Sequence, residues 1–466
     1  MWKQQLEQWF AERRQELIDD VCRLVRIDSA RTEAQPGMPY GPGAAAALVA
    51  AQKLTASLGF ETINWNNRVV TADLGPAERG LDILAHLDVV PAADDWKVTA
   101  PFEPIVLDGK LYGRGSADDK GPAVAAVYAL RAVKELCVPL RKGVRIILGS
   151  DEECGSSDIE YYYSQETPAP MTFTPDADFP LINIEKGRTH GAFSASWTDG
   201  GARPRVTELH AGDRANVVPG KAAAVVDGLS AAEAGPAAKE TESETDARFT
   251  LTDADGALKI LCEGEGVHAS APMNGCNALT ALLALLRRLP LADGGATPYL
   301  RALASLFPHG DWRGSALGIA RHDELSGDTT VACTVLHLES GALRGMFDAR
   351  TAIGSTKENT ADVAVLNLAH HGLRCECGVT PEHHVPADTP LVQALLKCYE
   401  QYTGRKGAPI AIGGGTYVHE LPSGVAFGCA MPGVDNRMHG ADEFAIIDDL
   451  ILSGEMFAQA IIDLCG

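Results

Sequence analysis

The chain has no uninterrupted apolar run of the roughly 20 residues that a membrane helix needs, so the sequence predicts no membrane span. It has no basic excess either. Forty Lys and Arg stand against 62 Asp and Glu, a formal net charge of −22. Nucleic-acid phosphates demand a basic face, and no basic patch with interleaved aromatics occurs, so nucleic acid is excluded as a partner. The eleven cysteines form no framework. Their odd number and scattered positions point to free thiols in a reducing cytoplasm. Cys375-x-Cys377 lacks a second pair at zinc-finger spacing and reads as structural. The N-terminal stretch lacks the apolar core of a secretory signal. No Gly-x-Ser-x-Gly elbow occurs, and no cysteine sits in a nucleophile's context. Gly413-Gly414-Gly415-Thr416 lacks the Gly-Lys-Ser/Thr ending of a nucleotide loop, although its backbone N–H groups suit a smaller anion.

What is present is an ordinary globular composition. Of 466 residues, 45% are hydrophobic, enough to bury a full core, and the length suits about three domains. Residues 1–26 carry a helical stripe through Trp2, Leu6, Phe10, Leu17, Val21 and Leu24. From about residue 43 to 187 helices and strands alternate: helices at 44–58 and 122–135, strands at 81–87, 144–148 and 181–184. Such alternation predicts an α/β fold with a mostly parallel central sheet covered on both faces. After residue 187 the pattern turns β-rich, as at 191–197 and 330–338, which suits a sheet with one solvated face. Residues 230–245, rich in Ala, Glu, Thr and Ser, read as a solvated loop or insert rather than core. His370-His371 and His383-His384 read as surface pairs. Helices at 391–402 and 446–464 and a strand at 424–430 restore the α/β character. The expected organisation is a discontinuous first domain, 1–187 plus 381–466, with an α+β domain inserted at 188–380. The insert is long enough for two similar halves.

Five short stretches put His, Asp or Glu where apolar runs stop. They are His86-Leu87-Asp88, Gly113-Arg114-Gly115-Ser116-Ala117-Asp118-Asp119-Lys120-Gly121, Asp151-Glu152-Glu153, Thr174-Pro175-Asp176 and Met438-His439-Gly440. Each alone also reads as ordinary structure: a strand-end histidine, a helix cap, an acidic turn. His86 and Asp88, two apart on a strand, point to one side, so Asp88 can fix the tautomer of a ligating imidazole. Glu152 and Glu153 diverge on a turn, which lets one bind metal while the other holds water. In open parallel sheets, ligands bind beyond the carboxyl ends of the strands, where at least two of the five stretches fall. Two imidazoles, several carboxylates and a spare acid make the inventory of a dinuclear site that activates water.

The order of these motifs resembles the aminoacylase/carboxypeptidase family of dinuclear metallopeptidases, and within it the bacterial dipeptidases of the peptidase V type. The inserted domain adds Arg214-Ala215-Asn216-Val217-Val218-Pro219-Gly220 and Gly266-Val267-His268-Ala269-Ser270-Ala271-Pro272, segments similar to the family's second domain. The resemblance implies a zinc-exopeptidase-like catalytic domain with a lid, and two divalent metal ions, zinc foremost, with manganese or cobalt as alternatives. His86, Asp118 and Asp176 would hold one ion, and Asp118, Glu153 and His439 the other. Glu152 would be the general base, Asp88 would orient His86, and His268 would stabilise the oxyanion. Asn216, Arg350 and the loop Gly414, Gly415 and Thr416 would grip the substrate. A cis peptide between Asp118 and Asp119 is also implied. The expected activity is hydrolysis of unblocked dipeptides, with N-acyl amino acid deacylation or desuccinylation as the alternative on the same scaffold. A non-catalytic metal- or peptide-binding module is the third reading. A doubled lid would replace the partner's lid of dimeric relatives, making one chain the catalytic unit.

Overall fold

The computed structural model describes residues 2–198 and 200–466. Met1, the expected start of the first helix, lies outside them. The chain forms two compact units. One comprises residues 1–184, 383–410 and 415–466; the other comprises 185–382 and the four residues 411–414.

The first unit is built on a nine-stranded sheet. Its path runs Glu61–Trp65, Val69–Leu74, Gly143–Gly149, Arg79–His86, Met171–Thr174, Gly424–Ala426, Ile182–Glu185 and His383–His384, with Ile410–Ile412 pairing Ile182–Glu185. Parallel pairing joins the four central strands from Gly143–Gly149 to Gly424–Ala426. Antiparallel neighbours flank them, so the sheet is mixed. The helix Lys120–Glu135 lies in the connection between Arg79–His86 and Gly143–Gly149, and parallel neighbours require a crossover of that kind. Strand residues alternate between two buried faces. Ile83, Ala85, Ile146 and Leu148 join the main core with the helices Trp2–Val25, Lys120–Glu135 and Ile447–Cys465. Leu84 and Ile147 pack on the opposite side with Ile159, Tyr162 and Tyr417. A strand buried on both faces needs a near-continuous apolar run, and Leu81–Leu87 supplies one interrupted only by Asp82 and His86, both buried. No helix among the described residues is long and apolar enough to cross a membrane.

The second unit holds one antiparallel eight-stranded sheet. Its order is Arg248–Ala254, Ala257–Glu263, Lys221–Asp227, Arg205–Ala211, Thr330–Glu339, Ala342–Thr351, Gly187–Ser196 and Arg374–Thr380. One face is covered by a leucine-rich core that includes the helix Ala278–Arg288.

Three expectations are corrected. Residues 230–245 are no loop: Ala231–Thr245 is a helix that starts from a capping box between Ser230 and Glu233. Ala234, Ala238, Thr241 and Thr245 are its buried stripe. Small residues at helical spacing form an apolar face too weak to stand out by composition. His383 is no surface residue. It is buried, and its Nε2 donates to the Gly424 carbonyl at 2.6 Å, a backbone partner from a strand 41 residues away. The strand expected at 424–430 is shorter, Gly424–Ala426.

Candidate metal centre

Parallel pairing puts the carboxyl ends of the central strands on one edge. His86 is the last residue of Arg79–His86 and lies in register with Gly149, the last of Gly143–Gly149. Glu152 and Glu153 follow Gly149 on a short 3₁₀ turn, Glu152–Cys154. Asp176 follows the end of Met171–Thr174 by two residues. Asp118 sits in the loop before Lys120–Glu135, and its peptide bond to Asp119 is cis. His439 lies in an irregular loop at φ 63°.

These side chains meet in two clusters that share Asp118. His86, Asp118 and Asp176 form one; Asp118, Glu153 and His439 form the other, with potential ligand atoms within 4.8 Å of one another in each. His86 Nε2 is 2.9 Å from Asp118 Oδ1 and 3.5 Å from Asp176 Oδ2. His439 Nε2 is 2.9 Å from Asp118 Oδ2 and 3.2 Å from Glu153 Oε1. His86 Nδ1 faces the Asp88 carbonyl at 3.1 Å. A carbonyl only accepts, so Nδ1 carries the proton and the lone pair of the neutral ring sits on Nε2, the atom aimed into the cluster.

The electrostatics show a centre whose buried acids favour a cation. Burial pushes Glu152, Glu153, Asp176 and Asp119 above the ordinary carboxylate range, and repulsion from neighbouring acids adds to it. Burial opposes ionisation of Asp118 too, but hydrogen bonds from His439 and His86 outweigh it and hold this carboxyl far below that range. Burial would depress His86, yet its contacts with Asp118, Asp176 and Asp88 hold it well above its usual value. Hydrogen bonding to Asp118 and Glu153 pushes His439 up to about 11. Asp119 Oδ1, beside the clusters, is buried without a hydrogen-bond partner. Each cluster offers one imidazole and two carboxylates. That set fits a pair of borderline divalent ions.

Buried contacts around the clusters set the loops. Asp88 is fully buried, and its carboxylate accepts the backbone N–H groups of Glu152 at 3.2 Å and Glu153 at 3.1 Å. Its carboxylate therefore anchors the acidic turn, while its carbonyl takes the closer contact with His86. Asp119 Oδ2 accepts the His86 backbone N–H at 3.0 Å. Glu443 Oε1 accepts the backbone N–H groups of Gly115, Ala117 and Asp118 at 3.0–3.2 Å. Its Oε2 pairs with Arg114 Nη1 at 2.5 Å, and Arg114 Nη2 reaches the Gly440 carbonyl at 3.0 Å. One buried ion pair so ties the Asp118 loop to the His439 loop. The close packing also demands glycine at position 121, where a Cβ would lie 2.1 Å from the Ser116 carbonyl oxygen. Arg114 and Glu443 were given no role by sequence reasoning. The signal is an Arg inside one of the five motifs and a Glu three residues past the end of another, and nothing local joins them.

The second unit holds Asn216, His268, Arg350 and Gly414. Asn216 and His268 are exposed on adjoining segments: Val217 bridges His268, and the Ala269 N–H donates to the Asn216 carbonyl at 2.8 Å. His268 Nδ1 lies 2.7 Å from Ser270 Oγ. Arg350 is buried; its Nε donates to Asp348 at 2.7 Å and its Nη1 to the Gly413 carbonyl. Fully buried Asp348 also pairs with Arg188 at 2.6 Å. A Cβ at Gly413 would lie 2.9 Å from Ser270 Cβ, so Arg350, Gly413 and Ser270 are packed together. Ser270, Asp348 and Gly413 are further residues that sequence reasoning missed. Gly414 belongs to this unit, Gly415 and Thr416 to the first. Thr416 caps the turn Tyr417–Glu420 by accepting from Val418 N–H.

Comparison with known proteins agrees with this chemistry. Residues 83–463 match the model of peptidase family M20/M25/M40. A Beta-Ala-Xaa dipeptidase of Lactobacillus delbrueckii subsp. lactis is 34% identical over 454 residues, covering 96% of each chain. Among solved structures, human carnosine dipeptidase 1 superposes with a TM-score of 0.61 at 16% identity, covering 100% of this chain and 99% of that one. The dipeptidase Dug1p of Saccharomyces cerevisiae gives 0.59 at 12% identity, with 100% and 99% covered. At these identities the two structures speak for the fold, while the family match and the bacterial relative speak for descent. The chain belongs to peptidase family M20/M25/M40 and is a metallopeptidase.

Proposed function

We propose that the protein is a dipeptidase that cleaves unblocked dipeptides with two divalent ions, zinc foremost and manganese or cobalt as alternatives. The observation that carries this reading is the pair of ligand clusters sharing one carboxylate, Asp118. His86, Asp118 and Asp176 would hold one ion; Asp118, Glu153 and His439 would hold the other. When bound, two such ions would supply Lewis-acid charge that lowers the pKa of a water at the site. Glu152, on the same turn as Glu153, takes that water's proton and later delivers it to the departing amine. Asp88 and Asp119 hold the turn and His86 in place through the backbone contacts described above. In the second unit, His268 donates to the scissile carbonyl as negative charge develops on its oxygen, with Asn216 beside it. Arg350, held by Asp348, takes the substrate's terminal carboxylate, since a guanidinium matches a carboxylate's geometry. Backbone N–H groups of Gly414, Gly415 and Thr416 assist.

The dipeptidase name of the 34%-identical relative supports the substrate class. The second unit's sheet falls into two four-stranded runs that meet between Arg205–Ala211 and Thr330–Glu339, which supports a doubled lid and a single chain as the catalytic unit. We place the protein in the cytoplasm, in keeping with eleven free cysteines. The deciding experiment is a turnover screen with zinc, manganese and cobalt, comparing unblocked dipeptides with N-acetyl and N-succinyl amino acids. Hydrolysis of the dipeptides alone is expected. Preference for the acylated amino acids would overturn the substrate assignment.

A further inference from the structure

The second unit contains another set of metal-ligating side chains, sharing no residue with the clusters above. His210 and His337 are directly opposed on the antiparallel strands Arg205–Ala211 and Thr330–Glu339. Their rings stack with centroids 4.3 Å apart and planes 15° apart. His210 is exposed between buried Leu209 and Ala211, so the pair stands on the side of the sheet away from the leucine core. His337 Nε2 donates to the Gly212 carbonyl at 2.9 Å, which fixes its ring against the start of the loop. Asp213 follows at once, with Oδ1 3.4 Å from His210 Nε2. One nitrogen from each ring and one Asp213 oxygen lie within 4.8 Å of one another.

Zinc takes such ligands at about 2.0–2.2 Å in a tetrahedron, so its ligand atoms stand roughly 3.4 Å apart. His210 and Asp213, both exposed, reach that spacing around the held His337 ring by small rotations, and water fills the fourth position. Two imidazoles and one carboxylate suit a borderline divalent ion better than magnesium or calcium, which prefer oxygen. The loop is already held close: a Cβ at Gly212 would lie 1.9 Å from the Thr334 carbonyl oxygen. We propose that His210, His337 and Asp213 form a third cation site, for zinc or a similar ion, which fastens the loop 212–217 to the sheet. That loop carries Asn216. The site would therefore let cation supply govern the order of a segment whose substrate role rests on the function proposed above.

The test counts zinc bound per full-length chain after equilibration and removal of free ion, in the native protein and in His210→Ala/His337→Ala. One ion fewer in the variant is expected. Equal counts would overturn the site. Asp213→Ala, at an exposed loop position, leaves both strands untouched and should weaken zinc binding at this site by about tenfold or more; unchanged affinity would remove Asp213 from the set. Zinc should slow amide hydrogen exchange across 212–217 in the native protein but not in the double variant. A lost ion without that difference would refute the fastening. The native protein and these variants all keep His86, Asp118, Glu153, Asp176 and His439. The result is thus independent of how many ions those residues hold and of which substrate is cleaved.

Discussion

Glu443→Gln isolates the buried pair that joins the two metal-binding loops. Glu443 is fully buried and Arg114 is 2% exposed. The amide oxygen of Gln can still accept the N–H groups of Gly115, Ala117 and Asp118, but the charge facing Arg114 is gone. Breaking a buried ion pair from one side costs about 3–5 kcal/mol, because the remaining charge is stranded. Retained backbone contacts place the Gln variant near the lower figure, ~3 kcal/mol, and Glu443→Ala near the upper. Outer contacts that orient ligands are worth roughly 10–100-fold in metal affinity, so affinity should fall within that range. The assay is urea unfolding of the metal-stripped protein together with competition against a chromophoric chelator. Arg114→Met/Glu443→Leu sharpens it. Replacing both charges should recover only the share of the loss that comes from the stranded charge, while the three N–H groups left without an acceptor keep both stability and metal affinity below native. Native-like stability and metal affinity in Glu443→Gln would refute the argument, as would full recovery of affinity in the double variant.

Further outcomes follow from the same contacts. Glu152→Ala should keep its metals, measured by elemental analysis, yet lose at least about 10²–10⁴-fold in kcat; near-normal kcat would remove it as the base. Stripping metal with a chelator should abolish turnover and lower the unfolding midpoint, because ions that bind only the folded chain stabilise it; an unchanged midpoint would contradict the clustered ligands. Glu455 has its carboxyl raised from 4.5 to about 7 by burial and then by Glu7, against Lys3. Between these values the folded chain keeps a proton that the unfolded chain releases, so stability falls as pH rises from 4.5 to 7, by about 3 kcal/mol at most. Glu455→Gln should therefore gain stability over the native protein at pH 8 and little at pH 4.5, read from urea midpoints. Gly121→Ala should destabilise the fold by about 1–3 kcal/mol through overpacking against the Ser116 carbonyl, measured by thermal unfolding.

The sequence by itself determined the local pieces: apolar runs long enough for buried strands, the helices between them, and acidic or imidazole residues where those runs end. These are visible because strand and helix periods are local, and because a ligand at a strand terminus interrupts an apolar pattern. The helix Ala231–Thr245 escaped because its buried stripe is only Ala and Thr. Burial of His383 escaped because its partner lies on another strand. Convergence belongs to the tertiary structure alone. His86, Glu153 and Asp176 share an edge because their strands pair in parallel and in register. His439 and Glu443 arrive from more than 300 residues beyond Asp118. Asp88 anchors the Glu152 and Glu153 turn, and His210 meets His337, through pairings that no spacing announces. Hydrogen bonds and register act over a few ångströms of space, and distance along the chain does not reveal them.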